Sequence, residues 1–226
     1  MYSESMSRLA NKHILVTAGP TYEAIDPVRF IGNRSSGKMG IQLVRSLLNY
    51  GAKVHLVIGP VSIEIPQHQN LTIAKVESAE EMYQAVMSQI ASADIGIFSA
   101  AVADYTPVEV AQQKIKKNEE RFTIELKKTK DIIGEVGKIK RPEQVLVGFA
   151  LETNNEEEHA KQKIVKKNLD FIVLNSLNDA GAGFKHDTNK IKIIDKHNNI
   201  THFELKNKSE VAEDIVLYLE KKLNLS

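Results

Sequence analysis

The 226-residue chain holds 30 Lys and Arg against 29 Asp and Glu, a net charge of +1, with 42% apolar residues and no cysteine. The near-neutral balance gives no electrostatic footprint for nucleic acid. The lack of cysteine excludes disulfides, thiolate metal sites and a Cys nucleophile, and the lack of any 18-residue apolar run excludes a membrane-spanning helix.

Length suits one large α/β domain or two small ones. The opening residues, Met1–Asn11, are polar and lack the apolar core of a signal peptide, so the cytosol is the expected location. The first strand is expected at His13–Thr17, followed by others at Lys53–Ile58, Thr72–Val76, Ile95–Ala100, Gln144–Phe149 and Phe171–Leu174. These runs are nearly all apolar, the mark of parallel strands covered on both faces. Helices are expected between them. Gly37–Tyr50 places Ile41, Val44, Leu47 and Leu48 on one face. The helix from Glu80 to Ala91 opens on the capping box Ser78-Ala-Glu-Glu81 and repeats Met82, Val86 and Ile90 at i+4. Glu156–Asn168 is charged with a thin apolar stripe. Near the end, Lys190–Asp195 and Ile200–Leu205 flank Lys196-His-Asn-Asn199 and predict an antiparallel hairpin. A last helix, Ser209–Leu223, presents Val211, Ile215, Leu219 and Leu223, with Ser209 as its expected N-cap. Strand–helix alternation predicts a doubly wound, mostly parallel, Rossmann-like sheet with a C-terminal antiparallel hairpin, in a single domain spanning 1–226. Residues 105–121 are polar and weakly patterned, and a loop of that length is expected to be a lid.

The segment Asp26-Pro-Val-Arg-Phe-Ile-Gly-Asn-Arg-Ser-Ser-Gly-Lys-Met-Gly40 carries the strongest functional signal. It lies between the first strand and a helix that begins near Gly37. Glycines there let backbone approach a ligand, and a helix N-terminus offers unpaired N–H groups, so an anion site is expected. Gly32 to Lys38 copies the P-loop spacing, but Met39 stands where the magnesium-binding Ser or Thr is needed, and the preceding strand ends about fifteen residues too early. A dinucleotide fold of the Rossmann type wants G-x-G-x-x-G after its first strand. Here that place holds Ala18-Gly-Pro-Thr-Tyr-Glu, which argues against a nicotinamide or flavin dehydrogenase. The seven histidines lack ligand spacing, so no zinc site is expected. Other Gly-, Asn-, Asp- and Thr-rich stretches follow the carboxyl ends of the strands, where open α/β sheets bind ligands; turns use the same residue types. Lys114-Ile-Lys-Lys117 reads either as a solvated charge run or as cations that close over a triphosphate, and Lys163 and Lys167 as i, i+4 partners aimed at the same phosphates or at solvent.

Taken together, these segments resemble the phosphopantothenoylcysteine synthetase family in its bacterial, CTP-using form. The resemblance rests on Gly19-Pro-Thr with Glu23, Asp26-Pro-Val-Arg29, Asn33 with Ser35-Ser-Gly-Lys-Met-Gly40, Ala100-Ala-Val-Ala-Asp-Tyr105, Lys114-Ile-Lys-Lys117, Asp131-Ile132, Gly148-Phe149, Glu152-Thr-Asn-Asn155 and Asn178-Asp179 with Gly183-Phe184. It runs from about Lys12 to the last helix. In many bacteria this unit follows a flavin-dependent decarboxylase; with about eleven residues ahead of its first strand, the chain looks like the stand-alone form.

The resemblance implies a ligase of coenzyme A biosynthesis that joins 4′-phosphopantothenate to L-cysteine through an acyl-cytidylate, releasing pyrophosphate and CMP, with Mg²⁺ bridging the phosphates of CTP. It implies Asn33, Lys114 and Arg29 as catalytic residues, and Asn33, Arg29 and Ala101 as contacts to the acyl substrate. It implies Phe98, Ser99, Ala100, Asp104, Lys114, Lys130, Asp131, Ile132, Ile133, Phe149, Lys163 and Lys167 as the nucleotide site, Lys130 standing where the family often has proline. It further implies a homodimer with composite active sites, with neither nucleic acid nor membrane as partner. Two alternatives stay open: an ATP-using version of the same ligase, and a non-catalytic paralogue that acts as a regulatory subunit.

Overall fold

The computed structural model describes residues 7–117, 120–152, 155–176 and 188–223. Thr153, Asn154, Asn178, Asp179, Gly183 and Phe184 of the family-like segments lie outside the described residues. Eight strands form the main sheet: β1 (His13–Ala18), β2 (Lys53–Ile58), β3 (Leu71–Lys75), β4 (Ile95–Phe98), β5 (Val145–Glu152), β6 (Phe171–Ser176), β7 (Ile191–Asp195) and β8 (Ile200–His202). Their spatial order is β8-β7-β6-β5-β4-β1-β2-β3. The first six are parallel in the 3-2-1-4-5-6 order of doubly wound sheets, and β7 and β8 add on antiparallel. The order of connection reverses between β1 and β4, so a cleft opens beyond their carboxyl ends.

Each helix buries one apolar stripe against the sheet. α1 (Lys38–Asn49) and α5 (Lys208–Leu223) cover one face, where Ile14, Val16 and Ala18 of β1 meet Ile41, Val44, Leu47, Val211, Ile215 and Leu219. α2 (Ala79–Gln89), α3 (Ile132–Lys138) and α4 (Glu156–Lys166) cover the other, where Leu15 and Val57 meet Met82, Val86, Val136 and Ile164. Successive β1 side chains therefore feed opposite layers, as the period of two demands. Each fully buried Leu or Ile contributes roughly 1.5–3 kcal/mol.

Helix ends largely follow local rules. Ser78 Oγ accepts from Glu81 N at 3.2 Å, while the Glu81 carboxylate reaches back to Glu77 N at 2.8 Å, one residue before the usual capping-box partner. The expected Ser209 cap is not the one used. Asn207 Oδ1 accepts from Glu210 N at 3.0 Å, and Ser209 Oγ donates to that same oxygen, because α5 begins one residue earlier, at Lys208.

Two antiparallel ribbons of three-residue strands occupy stretches read from sequence as loop, and a third, shorter one pairs Thr188–Asn189 with Lys206–Asn207. Tyr22–Ala24 pairs with Phe30–Gly32 inside the polar segment, and Tyr105–Pro107 pairs with Leu126–Lys128, so the expected lid is the outer part of an arm. The two ribbons are pinned together. The buried Asp26 carboxylate accepts from the backbone N–H groups of Val28 (2.9 Å), Arg29 (2.8 Å) and, across the gap, Ile115 (3.1 Å). Arg29 closes the clasp with Nη2 at 2.5 Å from Asp26 Oδ2 and 2.7 Å from the Ile115 carbonyl.

Candidate active site

The switch-point cleft is lined by loops that hold their own backbone. Beyond β1 and β4 the chains stay paired: Ala101 N donates to the Gly19 carbonyl (2.9 Å), and Ser99 Oγ to the Thr17 carbonyl (2.6 Å). Thr21 Oγ1 accepts from Ala103 N at 2.9 Å, and Thr129 Oγ1 donates to the Ala103 carbonyl at 2.6 Å. These short side chains replace the ladder where the strands splay, so Ser99–Asp104 forms a fixed ledge rather than a floppy turn.

Two cavities flank that ledge. The larger, about 560 Å³, lies between β4, β5, the start of α3 and the root of the arm. Nine of the twelve residues assigned to a nucleotide line it: Phe98, Ala100, Asp104, Lys130, Asp131, Ile132, Ile133, Phe149 and Lys167. Phe98 and Phe149 supply apolar faces. Asp131 caps α3 by accepting from Gly134 N at 3.2 Å and pairs with Lys167 Nζ at 3.0 Å. Lys130 Nζ sits 2.9 Å from Glu80 Oε1 and 4.3 Å above the Tyr83 ring; the Glu80 carboxylate holds its pKa above the usual lysine range. Lys130 thus stays cationic at the mouth of the cavity.

The smaller cavity, about 340 Å³, lies on the α1 side and shares Ala100, Val102, Asp104 and Phe149 with the first. Ser99, Ala101 and Lys163 line it, together with Ser35–Gly40. Gly37 introduces the helix with φ +76°, a left-handed turn that L side chains rarely adopt. Ser35 Oγ accepts from Gly37 N and Ser36 Oγ from Lys38 N, both at 3.3 Å. Ile41 N is the first to donate four residues back, to the Gly37 carbonyl at 3.1 Å, so the N–H groups ahead of it make this edge of the cavity anion-seeking.

The remaining assignments fall elsewhere in the chain. Asn33 sits just past the first ribbon, its Nδ2 donating to the carbonyls of Ala101 (3.0 Å) and Val102 (3.2 Å) on the ledge. Arg29 lines neither cavity; its guanidinium is committed to Asp26 and the Ile115 carbonyl. Lys114 is exposed beside Ile115 on the arm and also lines neither cavity. Among the described residues no cluster of three or more His, Cys, Asp or Glu forms a metal site. No helix among them is long and apolar enough to cross a membrane. Sequence reasoning gave no role to Asn189 and Lys208, which line the second cavity while almost fully buried, because a lone Asn and a lone Lys carry no motif.

The family of the DNA/pantothenate metabolism flavoprotein C-terminal domain matches residues 9–223. The chain belongs to that family. Among curated relatives of the family, a cysteine/cysteine sulfinic acid decarboxylase from an unknown prokaryotic organism is 51% identical over 92% of this chain and 58% of its own length. The coenzyme A biosynthesis bifunctional protein CoaBC of Bacillus subtilis is 45% identical over 94% of this chain and 52% of its own length. The chain thus spans little more than half the length of these relatives. The crystal structure of the C-terminal domain of a CoaBC protein, another member, superposes with a TM-score of 0.82 at 39% identity, covering 96% of this chain and 98% of that one. The mostly parallel α/β sheet is therefore the fold that this family's domain adopts.

Proposed function

We propose that this domain is a phosphopantothenate–cysteine ligase of coenzyme A biosynthesis that uses CTP. The observation that carries the reading is the pair of cavities sharing the Ala100–Asp104 ledge, one lined by aromatic, aspartate and lysine side chains, the other by an anion-seeking helix start. Two substrates between which a cytidylyl group must pass need such a shared rim. Membership in a family whose relatives include CoaBC supplies the chemical class. The choice of CTP over ATP rests on the resemblance of Ala100–Tyr105 and Lys114–Lys117 to the bacterial form.

In this reading the 4′-phosphopantothenate carboxylate attacks the α-phosphorus of CTP, the Pα–O–Pβ bond breaks, and pyrophosphate leaves. The amine of cysteine then attacks the acyl carbon, loses a proton, and expels CMP. Neither step needs a protein nucleophile, so positioning and charge neutralisation supply the rate. Lys130 and Lys167 stand at the nucleotide cavity to offset phosphate charge, and Lys114 approaches as the arm closes. Asn33 Nδ2, already on the ledge, is placed to turn from the backbone carbonyls to an acyl-phosphate oxygen. Mg²⁺ favours one or two carboxylates plus substrate phosphates, and Asp104 at the shared rim fits that donor set.

A homodimer with composite sites belongs to the same proposal. Val28, Phe30, Tyr105, Val108, Val110, Phe122 and Leu126 are large apolar side chains left more than 40% exposed on the two ribbons and the arm. Asn33 follows the first ribbon directly, so a second copy seated there would bring its own Asn33 close to the shared face.

The test is pyrophosphate release with 4′-phosphopantothenate and Mg²⁺, comparing CTP with ATP, with and without L-cysteine. Release that needs the pantothenate compound and prefers CTP supports the reading. Activity with ATP alone keeps the ligase and overturns the nucleotide. A folded protein silent with both favours a non-catalytic regulatory subunit, and CO₂ release from cysteine by this domain alone would favour a decarboxylase.

A further inference from the structure

The second cavity has a wall that neither the sequence motifs nor the nucleotide site explains. Asn175 lies at the carboxyl end of β6, opposite Leu151 on one side and Ile191 on the other. Asn189 stands two residues before β7, 6% exposed, and Lys208 opens α5, also 6% exposed. All three line the cavity. The side-chain oxygens of Asn175 and Asn189 are buried without a hydrogen-bond partner. A buried orphaned acceptor costs about 1–3 kcal/mol, and no other buried side-chain oxygen or nitrogen among the described residues is left this way. Two such atoms on the wall of one cavity are acceptors awaiting donors.

We propose that Asn175 and Asn189 are specificity residues for the acyl substrate, accepting hydrogen bonds from the hydroxyl and amide N–H of its middle portion. The inference rests on the ligase reading and fixes how the substrate lies. With the nucleotide in the larger cavity, the reacting carboxylate sits on the shared ledge and the rest of the molecule extends into the smaller one. One end of that cavity offers the N–H groups of the helix start for a phosphate; the wall between offers acceptors. A purely anionic ligand such as inorganic phosphate or pyrophosphate would leave both oxygens unmet. A phosphorylated hydroxy-amide meets them, and about 340 Å³ lies within the size range of small-molecule sites.

The test uses Asn189→Leu and Asn175→Leu, near-isosteric changes that remove the acceptor. A structural asparagine would destabilise the fold when replaced. An orphaned one would not, since an apolar side chain ends the burial of an unmet oxygen. The expected result is a thermal midpoint equal to or above wild type, a KM for 4′-phosphopantothenate raised about tenfold or more per site, and a KM for CTP within about twofold of wild type. Unchanged KM values in both variants, with wild type turning over normally, overturn this inference alone. A lowered midpoint with unchanged KM reassigns the residues to folding and also overturns it. Wild-type protein that neither turns over nor binds 4′-phosphopantothenate overturns the ligase reading and this inference with it.

Discussion

Gly40 sets how closely α1 approaches β1, and replacing it tests whether the helix start belongs to the site. A Cβ at position 40 would fall well inside 3 Å of Ala18 Cβ, 3.0 Å from Ser99 Oγ and 3.2 Å from Ala18 Cα. Ordinary contact begins near 3.4 Å, and the atom it meets first is a short core methyl that cannot swing aside. In Gly40→Ala the first turn of α1 therefore has to recede from β1 by about 1 Å. Overpacking of this kind costs typically about 1–3 kcal/mol, and a misplacement of about 1 Å in a positioning element costs on the order of a hundredfold in rate. The expected outcome is a folded protein with a lowered thermal midpoint, ligase turnover down about a hundredfold, and CTP binding nearly intact, because the larger cavity does not include the helix start. Ala18→Gly removes the first obstacle, so the double variant recovers part of the loss. Circular dichroism confirms folding at the assay temperature, and pyrophosphate release reads the rate. Gly40→Ala protein with wild-type turnover would remove the α1 N-terminus from the mechanism.

Lys114→Ala is expected to cut turnover by roughly ten- to a thousandfold, the range for losing one charge-stabilising donor; full activity would leave the lysine run as solvated charge. Asp26→Asn unpins the arm from the first ribbon, so limited trypsin digestion at Lys114, Lys116 and Lys117 speeds up several-fold while kcat falls; equal digestion rates would show that the clasp does not hold the arm. The neighbouring Arg29 guanidinium holds the Asp26 carboxyl well below the usual carboxylate range against the opposing effect of burial, so the clasp is charged above the ordinary Asp value and opens only in strong acid. At Asp195, burial pushes the pKa up, but Lys222, the Asn199 side chain and the backbone N–H groups of Asn199 and His197 outweigh it and bring it to about 2. Its contribution is therefore present above the unfolded value of 3.8 and fades as pH falls toward 2. Asp195→Asn is expected to lower the thermal midpoint at pH 7 by about 2–4 °C and to converge with wild type near pH 2; a constant gap across that window would refute the assignment.

The parallel sheet was legible because its six strands are short apolar runs whose environments agree with their composition. Each of these strands overlaps its expected range with ends moved by three residues or fewer. Three classes of element were not. α3, Ile-Ile-Gly-Glu-Val-Gly-Lys, contains two glycines in seven residues, and its stability comes from the Asp131 cap and from burying Ile132 and Val136 under the sheet, which no local propensity announces. The ribbon strands are three residues long and lie in polar sequence, so no period of two can develop. The start of α5 depends on which of three adjacent polar residues captures the free N–H groups, and Asn207 wins over Ser209 because its longer side chain reaches Glu210 N from one turn before.

The candidate site shows the same division at finer grain. Where the candidate site rests on a ledge of backbone and a run of motif residues, sequence order is nearly spatial order, and Phe98, Ala100, Asp104, Lys130–Ile133, Phe149 and Lys167 converge on one cavity. Where it rests on a single side chain presented by an otherwise ordinary element, nothing local marks it. Arg29 shows the opposite failure. A motif arginine beside an anion-seeking loop invites a substrate contact, yet in this chain its donors are taken by Asp26 and the Ile115 carbonyl. A cation so engaged can reach substrate only by giving up a buried carboxylate, which is costly, or by acting through what it holds. The second route makes Arg29 and Asp26 the hinge pin of the arm that carries Lys114, and it separates the two roles experimentally. A contact residue changes KM for the acyl substrate when replaced. A pin changes the mobility of Lys114–Lys117 and kcat together, and Arg29→Lys, which keeps the charge but loses the fork that spans Asp26 Oδ2 and the Ile115 carbonyl, should behave as a broken pin rather than a conservative exchange.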